Sequence, residues 1–280
     1  TLSRFIMKLD PSIKSEDLNN STEDEYYEIL KLVVNALEHK NNLPHYDYVI
    51  IDEGQDLFDR GIDILINKIC GFNKNGLVDG NILILYDIDQ SYLASGRSIL
   101  DIADIVRDYF AHFKLCDVRR SAQNPDIRKL ANSIFDDPTI LSNNSIQLEF
   151  PKINISKHKR LEDVKRYIVN NFLKLMRDPN SSLRGGSCIL LIESRLMQDE
   201  YKDEPGMNYW LVMKDVEELK DHNIIDESNK LRYTSILRYK GLEKENVFLI
   251  ISEPSERNKG EIYVGITRAI NNLEVLIIES

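Results

Sequence analysis

The chain has 280 residues, 42% of them hydrophobic, and a formal net charge of −10, which indicates a globular protein of roughly two domains. No apolar stretch approaches the roughly 18 residues of a membrane helix, and the N-terminus lacks the basic and apolar segments of a signal peptide, so we expect a cytoplasmic protein without membrane contact. The acidic balance argues against broad nonspecific binding to nucleic acid, although a local basic patch is compatible with it. Cys70, Cys116 and Cys188 lack C-x-x-C spacing and predict reduced core residues, not a zinc site or disulfides.

Helical spacing and short apolar runs alternate along the chain. The first part predicts helix 23–40, strand 49–51, helix 57–70, strand 82–86, helix 98–110 and strand 113–116. The second part predicts helices 125–135 and 161–176, strand 188–192, helix 211–219, strands 233–237 and 247–251, helix 262–270 and strand 273–278. This alternation implies an α/β fold with two parallel-sheet lobes, which we place at 1–117 and 118–280.

Two adjacent carboxylates, Asp52 and Glu53, follow the apolar run Tyr48-Val49-Ile50-Ile51. The run reads as a short buried strand, and ligand sites of open α/β sheets lie beyond the carboxyl ends of their strands. An acid at such a point commonly holds Mg²⁺ in phosphate-handling enzymes, and a second carboxylate can position the attacking water. The alternative is a solvated turn that carries two acids.

A second polar strand end follows the run Ile82–Leu85, in Asp87-Ile88-Asp89-Gln90. An amide such as that of Gln90 can accept a hydrogen bond from water and donate one to a phosphate oxygen, which suits sensing of a γ-phosphate. The alternative is again a solvated turn.

Two arginines precede or end predicted helices. Arg120 lies in Val118-Arg119-Arg120-Ser121, and Arg268 lies in Thr267-Arg268-Ala269. The guanidinium fork suits phosphate recognition, and an arginine that stabilises a transferring phosphoryl group is worth about 10³ to 10⁵ in rate. An ordinary surface salt bridge is the alternative for each of them.

The segment Lys240-Gly241-Leu242-Glu243 lies between two predicted strands. The glycine permits a tight turn, and Glu243 can accept hydrogen bonds from a ribose hydroxyl. Five short motifs follow one another along the chain, each at the end of a predicted element, and this order argues against coincidence. They are Asp-Glu-x-Gln-Asp, Asp-x-x-Gln, Arg-Ser, Lys-Gly-Leu-Glu and Thr-Arg-Ala.

With these motifs the sequence resembles superfamily 1 helicases of the UvrD, Rep and PcrA group, over about residues 46 to 280. The resemblance implies two RecA-like lobes, the first of them incomplete, and an ATP-dependent helicase or translocase that moves on single-stranded DNA, with RNA also possible. It implies that Asp52 binds Mg²⁺, that Glu53 activates water, and that Gln90 couples nucleotide state to the strand. It also implies that Arg120 and Arg268 contact the γ-phosphate, and that the Lys240–Glu243 turn, through Glu243, contacts the ribose of ATP.

The sequence departs from that family in its phosphate-binding loop. No G-x-x-x-x-G-K-[ST] run precedes the other motifs, and the nearest one, Gly71 to Gly76, is followed by Leu77 and comes before a strand instead of after one. We therefore expect the loop in an upstream segment, and little or no ATP hydrolysis by these residues alone. Two departures concern the strand track: Tyr92 replaces the usual stacking residue, and Leu237 occupies the place of a usual histidine.

Two other functions compete with this interpretation. A non-catalytic interaction or regulatory module would keep the fold without nucleotide binding. A metal-dependent nuclease would use Asp52, Glu53 and Asp56, but no His or Lys at a suitable spacing supports it. The basic residues around the start of helix 161–176 predict either a phosphate-contact patch or a solvated helix face: Lys157, Lys159, Arg160, Lys165 and Arg166.

Overall fold

The chain divides into two compact units, Thr1–Lys114 and Leu115–Ser280. The computed structural model describes residues 2–19, 21–40, 42–71, 76–86, 110–111, 113, 124–143, 145–178, 184–198, 200–220 and 229–279. Within these ranges, no helix combines the length and the apolar character that crossing a bilayer requires.

The first unit builds a short parallel sheet against helices. Strand β1 (Tyr48–Ile51) pairs with β2 (Asn81–Ile84) in the register Tyr48↔Asn81 to Ile51↔Ile84. A capping box begins the longest helix, because Glu25 N donates to Thr22 Oγ1 at 3.3 Å and Thr22 N donates to Glu25 Oε2 at 2.8 Å. Among the described residues of this unit, the helices are Leu2–Leu9, Ser15–Asn19, Glu23–His39, Gly54–Asp59, Ile62–Ile69 and Gly76–Asp79.

The expectation that all of β1 is buried is wrong. Ile51 is 4% exposed, whereas Tyr48 is 75% and Ile50 is 72% exposed. The helices pack on the sheet face of Ile51, and its opposite face stays open, so that alternate residues of the strand point to solvent. The predicted helix 57–70 is likewise two helices, separated at Gly61, whose φ of +80° a helix interior does not allow.

The second unit contains a six-stranded sheet in the order β3-β10-β9-β4-β8-β7, with every pairing parallel. This architecture confirms the predicted α/β class. The strands are β3 (Asn154–His158), β4 (Cys188–Ile192), β7 (Val216–Glu218), β8 (Leu231–Ser235), β9 (Lys244–Ser252) and β10 (Ala269–Ile278), and a small antiparallel hairpin joins β5 (Glu200–Tyr201) to β6 (Glu204–Pro205).

Helices cover the sheet of the second unit. Strand β4 is buried at all five residues, as a central strand with both faces covered requires. Cys188, and Cys70 of the first unit, are free and buried. The helices are Pro125–Asp136, Ile146–Glu149, a continuous helical segment over 161–177 with a wider turn at Ile168–Leu173, Met207–Trp210 and Lys259–Thr267.

Two predicted elements of this region differ from the structure. The predicted helix 211–219 is wrong, because Val216–Glu218 forms the edge strand β7, whose Glu217 accepts from Arg232 of β8 at 3.3 Å. Strand β3 was not predicted, since its polar alternation on an exposed edge resembles a loop. Phe113 lies outside any strand and is 89% exposed; the rest of predicted strand 113–116, and predicted helix 98–110 apart from Phe110, lie outside the described residues.

Candidate functional site

The two adjacent carboxylates form a sharp turn at the carboxyl end of β1. Asp52 is exposed, and its Oδ1 accepts a hydrogen bond from Glu53 N at 3.0 Å. Glu53 lies in the left-handed region at φ +55° and begins the helix Gly54–Asp59. Its Oε2 accepts from Nε2 of the fully buried Gln55 at 2.7 Å. The turn therefore holds Glu53 in an uncommon backbone conformation and fixes its carboxylate.

The backbone of β2 ties this turn to the neighbouring strand end. Leu85 N donates to Ile51 O at 2.8 Å, and Gly54 N donates to Leu85 O at 2.9 Å. A Cβ on Gly54 would lie 2.7 Å from Ile84 Cγ2, so a larger residue here would displace the Ile84 side chain. Asp87–Gln90 follow along the chain, but Asp87, Asp89 and the predicted site residue Gln90 lie outside the described residues.

The acidic turn provides an exposed carboxylate that suits a hard cation. Mg²⁺ is usually bound by one or two carboxylates together with water and substrate phosphates. In the described ranges, no three His, Cys, Asp or Glu residues form a group that could hold a metal ion by themselves. Asp52 therefore fits a cation that arrives with phosphate ligands better than a resident protein-only site.

The Lys-Gly-Leu-Glu segment of the second unit forms a tight turn between β8 and β9. Gly241 has φ +82°, which glycine adopts without steric cost. Leu242 N donates to Tyr239 O at 3.1 Å, and the Tyr239 hydroxyl donates to Glu243 O at 3.1 Å. Lys240 is half-buried, whereas Glu243 is exposed. The turn thus places the Glu243 carboxylate at the surface.

Arg268 connects this turn to the end of the helix Lys259–Thr267. Its side chain is 1% exposed. Nε donates to Val264 O at 3.0 Å, Nη2 to Thr267 Oγ1 at 3.0 Å, and Nη1 to Leu242 O at 3.4 Å. The structure therefore brings Arg268 together with the Lys240–Glu243 turn, but it directs the guanidinium into the protein interior.

The same cluster contains a tyrosine with a perturbed hydroxyl. Tyr239 is 5% exposed, and burial raises the pKa of its hydroxyl to about 12, even though the nearby Arg268 charge acts in the opposite direction. Tyr239 therefore stays protonated at neutral pH and serves as the hydrogen-bond donor that holds Glu243 O.

Sequence reasoning missed a buried carboxylate at the carboxyl end of β4. Glu193 is 2% exposed and accepts from Ser252 N at 2.7 Å, from Ser252 Oγ at 2.8 Å and from Asn258 Nδ2 at 3.3 Å. Nearby, Glu261 accepts from Ser194 N and Oγ, each at 2.8 Å. Burial raises the pKa of the Glu261 carboxyl, and the Glu193 charge adds to that rise. This cluster fixes the start of the helix that ends at Arg268.

Arg120, the other predicted phosphate contact, lies outside the described residues, as does Tyr92. The predicted basic cluster is divided. Arg160 pairs with Glu204 at 2.7 Å, and Arg166 pairs with Glu162 at 2.6 Å. Lys157 donates to Ser142 O and lies 3.9 Å from Glu279. Lys159 and Lys165 have no carboxylate partner among the described residues.

Comparisons with known proteins give distant similarity to solved structures. No family model matches the chain, and no curated protein sequence matches it. Among solved structures, the chain is similar to the C-terminal domain of a possible DNA helicase from Lactobacillus plantarum WCFS1, with a TM-score of 0.35 and 14% identity over 58% of this chain and 88% of that domain. A similarity at this level does not identify a function.

Proposed function

We propose that this chain is part of an ATP-dependent helicase or translocase that uses ATP hydrolysis to move on single-stranded DNA. Asp52 would bind the Mg²⁺ of the incoming nucleotide, and Glu53 would accept a proton from the attacking water. In the second unit, Glu243 would contact the ribose. The anchor for the β- and γ-phosphates would come from a phosphate-binding loop outside these 280 residues.

The observation that carries the proposal is the geometry of the acidic turn. Glu53 occupies a left-handed backbone conformation at φ +55°, and the buried Gln55 amide holds its carboxylate at 2.7 Å. A solvated turn needs neither a glutamate in the left-handed conformation nor a buried amide that holds its carboxylate. Asparagine or glycine adopts a positive φ at lower energetic cost. Backbone strain of this kind concentrates at functional sites.

The test uses the natural gene product that contains this sequence. We expect Glu53→Gln to lower strand-stimulated ATP hydrolysis by about 10² or more, since a positioned general base contributes about 10² to 10⁴ in rate. The amide keeps the size of the side chain and its acceptor oxygen for Gln55, so ATP binding should persist. Glu16→Gln, on an exposed residue of another helix, is the control. Hydrolysis that is unchanged by Glu53→Gln would reject the proposal.

A non-catalytic, helicase-like module is the second candidate, and the burial of Arg268 favours it. A guanidinium that is 1% exposed and donates to three protein oxygens must leave those partners before it contacts a phosphate. This candidate predicts that ATP with Mg²⁺ leaves the melting temperature of the natural gene product unchanged, whereas a nucleotide-binding motor would be stabilised in proportion to ligand occupancy.

A further inference from the structure

A surface of the second unit combines aromatic rings with cations, and it lies outside the helicase-like motifs. It is formed by the first turns of helical segment 161–177, the β5–β6 hairpin and the helix Met207–Trp210. We call it the Trp210 platform and define it by Lys159, Lys165, Tyr201, Lys202, Tyr209 and Trp210.

The aromatic part of the platform is rigidly supported. Trp210 Nε1 donates to Pro205 O at 3.0 Å, and Met207, which begins the same helix, is fully buried in the core. A Cβ on Gly206 would lie 1.6 Å from Gln198 O, so this residue must be glycine for the helix to pack here. The helix therefore presents its outer side chains from a fixed base.

Tyr209 lies on the outside of that base. It is 65% exposed, and its ring meets the Trp210 ring edge to face with centroids 5.2 Å apart. Lys165 Nζ lies 5.4 Å from the centre of the Trp210 ring, a distance that favours a cation–π contact. The core does not require an exposed tyrosine at this point, whereas a stacking partner would use its free face.

A cavity of the second unit contains cations of the platform in its wall. The cavity has a volume of about 310 Å³, and its wall includes Lys159, Arg160, Tyr201 and Lys202 together with the carboxylates of Glu204 and Glu279. Glu204 pairs with Arg160 at 2.7 Å, whereas Lys159 and Lys202 have no carboxylate partner in the described part of the chain. The cavity therefore offers two lysines to an anion beside the Tyr201 ring.

The hairpin holds Lys202 in a costly conformation. Lys202 and Asp203 have φ +50° and +61°, as a two-residue hairpin turn requires, although glycine and asparagine are the usual residues there. The turn carries Lys202 Nζ to 5.4 Å from the centre of the Tyr201 ring. Glu200 and Asp203, also exposed on this hairpin, reduce the positive potential, so stacking should contribute more to binding than charge does.

We propose that the Trp210 platform binds single-stranded nucleic acid, with bases stacked on Tyr209 and Trp210 and backbone phosphates beside Lys159 and Lys202. The exposed Tyr209 ring, the half-buried Trp210 ring and lysines without a carboxylate partner in the described ranges complement a strand that combines π-faces with one negative charge per nucleotide. An acidic peptide supplies negative charge but no bases that stack on an aromatic side chain. The exposed Tyr209 ring therefore favours nucleic acid as the partner. This inference rests on the proposed function for the class of partner and adds a contact surface that the helicase-like motifs do not contain.

The single tryptophan of the chain makes the test direct, because Trp210 fluorescence reports on the platform itself. The 280-residue chain is titrated with oligo(dT) of about 12 nucleotides, within the length that one binding module covers, in the absence of ATP. We expect saturable quenching of Trp210. Tyr209→Ala should weaken binding about five-fold or more, the lower limit for loss of one stacked base, while Tyr209→Phe retains it.

Lysine variants test the phosphate contact. Lys202→Ala should make the slope of log K against log salt shallower by about 0.7, as expected for one lost phosphate contact on a single strand. Lys152→Ala, on an exposed lysine outside the platform, should leave the slope unchanged. Melting temperatures of all variants should match the parent chain, because none of the substituted side chains is buried.

Three outcomes would overturn the inference: oligo(dT) that fails to bind, binding that leaves Trp210 emission unchanged, or polyglutamate that competes as well as oligo(dT) while Tyr209→Ala has no effect. The last would indicate an acidic protein partner. The oligo(dT) assay contains no ATP and changes no residue of the acidic turn. A negative result in this assay can therefore be distinguished from a negative result in the Glu53→Gln test. Oligo(dT) binding with ATP hydrolysis unaffected by Glu53→Gln would retain the platform and reject the motor.

Discussion

Arg268 illustrates how a residue can belong to a motif and still act through its neighbours. Its guanidinium joins Val264 O and Thr267 Oγ1 of one helix end to Leu242 O of the Lys240–Glu243 turn. In this arrangement Arg268 is a positioning residue for the turn that presents Glu243. The planar fork is essential to that role, because a lysine ammonium cannot reach three acceptors in such different directions.

His158 belongs to a polar network beneath helical segment 161–177. Its Nε2 lies 2.9 Å from Ser156 Oγ, and its ring meets the Tyr167 ring edge to face. The Tyr167 hydroxyl donates to Glu274. Burial lowers the pKa of the His158 imidazole, and the charge of Asp163 offsets part of that effect. Burial also raises the pKa of the Tyr167 hydroxyl to about 12 and raises that of the Glu274 carboxyl.

This network predicts a pH-dependent stability. A histidine whose folded pKa lies below its unfolded value of about 6.5 binds protons more readily in the unfolded chain. The contribution of neutral His158 to the free energy of unfolding is therefore fully present above about pH 6.5, and it is lost as the pH falls toward the folded pKa. Glu274 has the opposite sign, since its raised pKa costs stability as the pH rises through it.

We expect His158→Gln to flatten the dependence of unfolding free energy on pH between about 7 and 5.5, because glutamine keeps a partner for Ser156 without titrating. Urea unfolding at a series of pH values measures the slope. Ser156→Ala, which leaves the imidazole in place, should retain most of it. An identical slope for His158→Gln and the parent chain would contradict the assignment.

At the scale of elements, Glu193 determines how the helix Lys259–Thr267 begins. The carboxylate at the end of β4 accepts from Ser252 at the end of β9 and from Asn258, the residue before the helix. The buried Glu193 carboxylate thereby connects the ends of β4 and β9 to the start of the helix Lys259–Thr267. Because the helix ends at Arg268, the position of the Lys240–Glu243 turn depends on this connection.

Glu193→Ala should destabilise the second unit by about 3 kcal/mol, because it leaves buried donors of Ser252 and Asn258 without an acceptor. Glu193→Gln retains one acceptor oxygen and should cost less. Glu253→Ala, on an exposed neighbour, should change the free energy by at most about 0.5 kcal/mol. Chemical denaturation measures all three, and equal effects of Glu193→Ala and Glu253→Ala would argue against the connection.

Element prediction succeeded where a pattern was local and failed where neighbours decided. Cys188–Ile192 and the Val247–Ile251 run were recognised as strands because central parallel strands are apolar on both faces. Val216–Glu218 falls inside the predicted helix 211–219. Only the pairing of this segment with β8 makes it a strand.

At the scale of the whole molecule, the proposed motor requires more than the described units contain. The first unit contains the acidic turn and the second exposes the Glu243 carboxylate, but the sequence has no G-x-x-x-x-G-K-[ST] loop. Without the loop lysine and its cradle of backbone N–H groups, the β- and γ-phosphates lack their main anchor.

The 280-residue chain by itself should therefore hydrolyse ATP at or near background, even when single-stranded DNA saturates the Trp210 platform. A coupled assay of phosphate release, with the natural gene product as the positive control, measures this. Turnover by the 280-residue chain comparable to that of an ordinary helicase would show that the missing loop is not required.

The sequence by itself determined the α/β class, the paired acids after β1, and the glycine of the Lys240–Glu243 turn, because each depends on neighbours close along the chain. Tertiary structure alone decided that Ile50 faces solvent, that Arg268 faces inward, and that Lys165 and Pro205 contact the Trp210 side chain. The physical reason is that burial and proximity depend on contacts between residues far apart in sequence, and the periodicity of a single element carries no information about them.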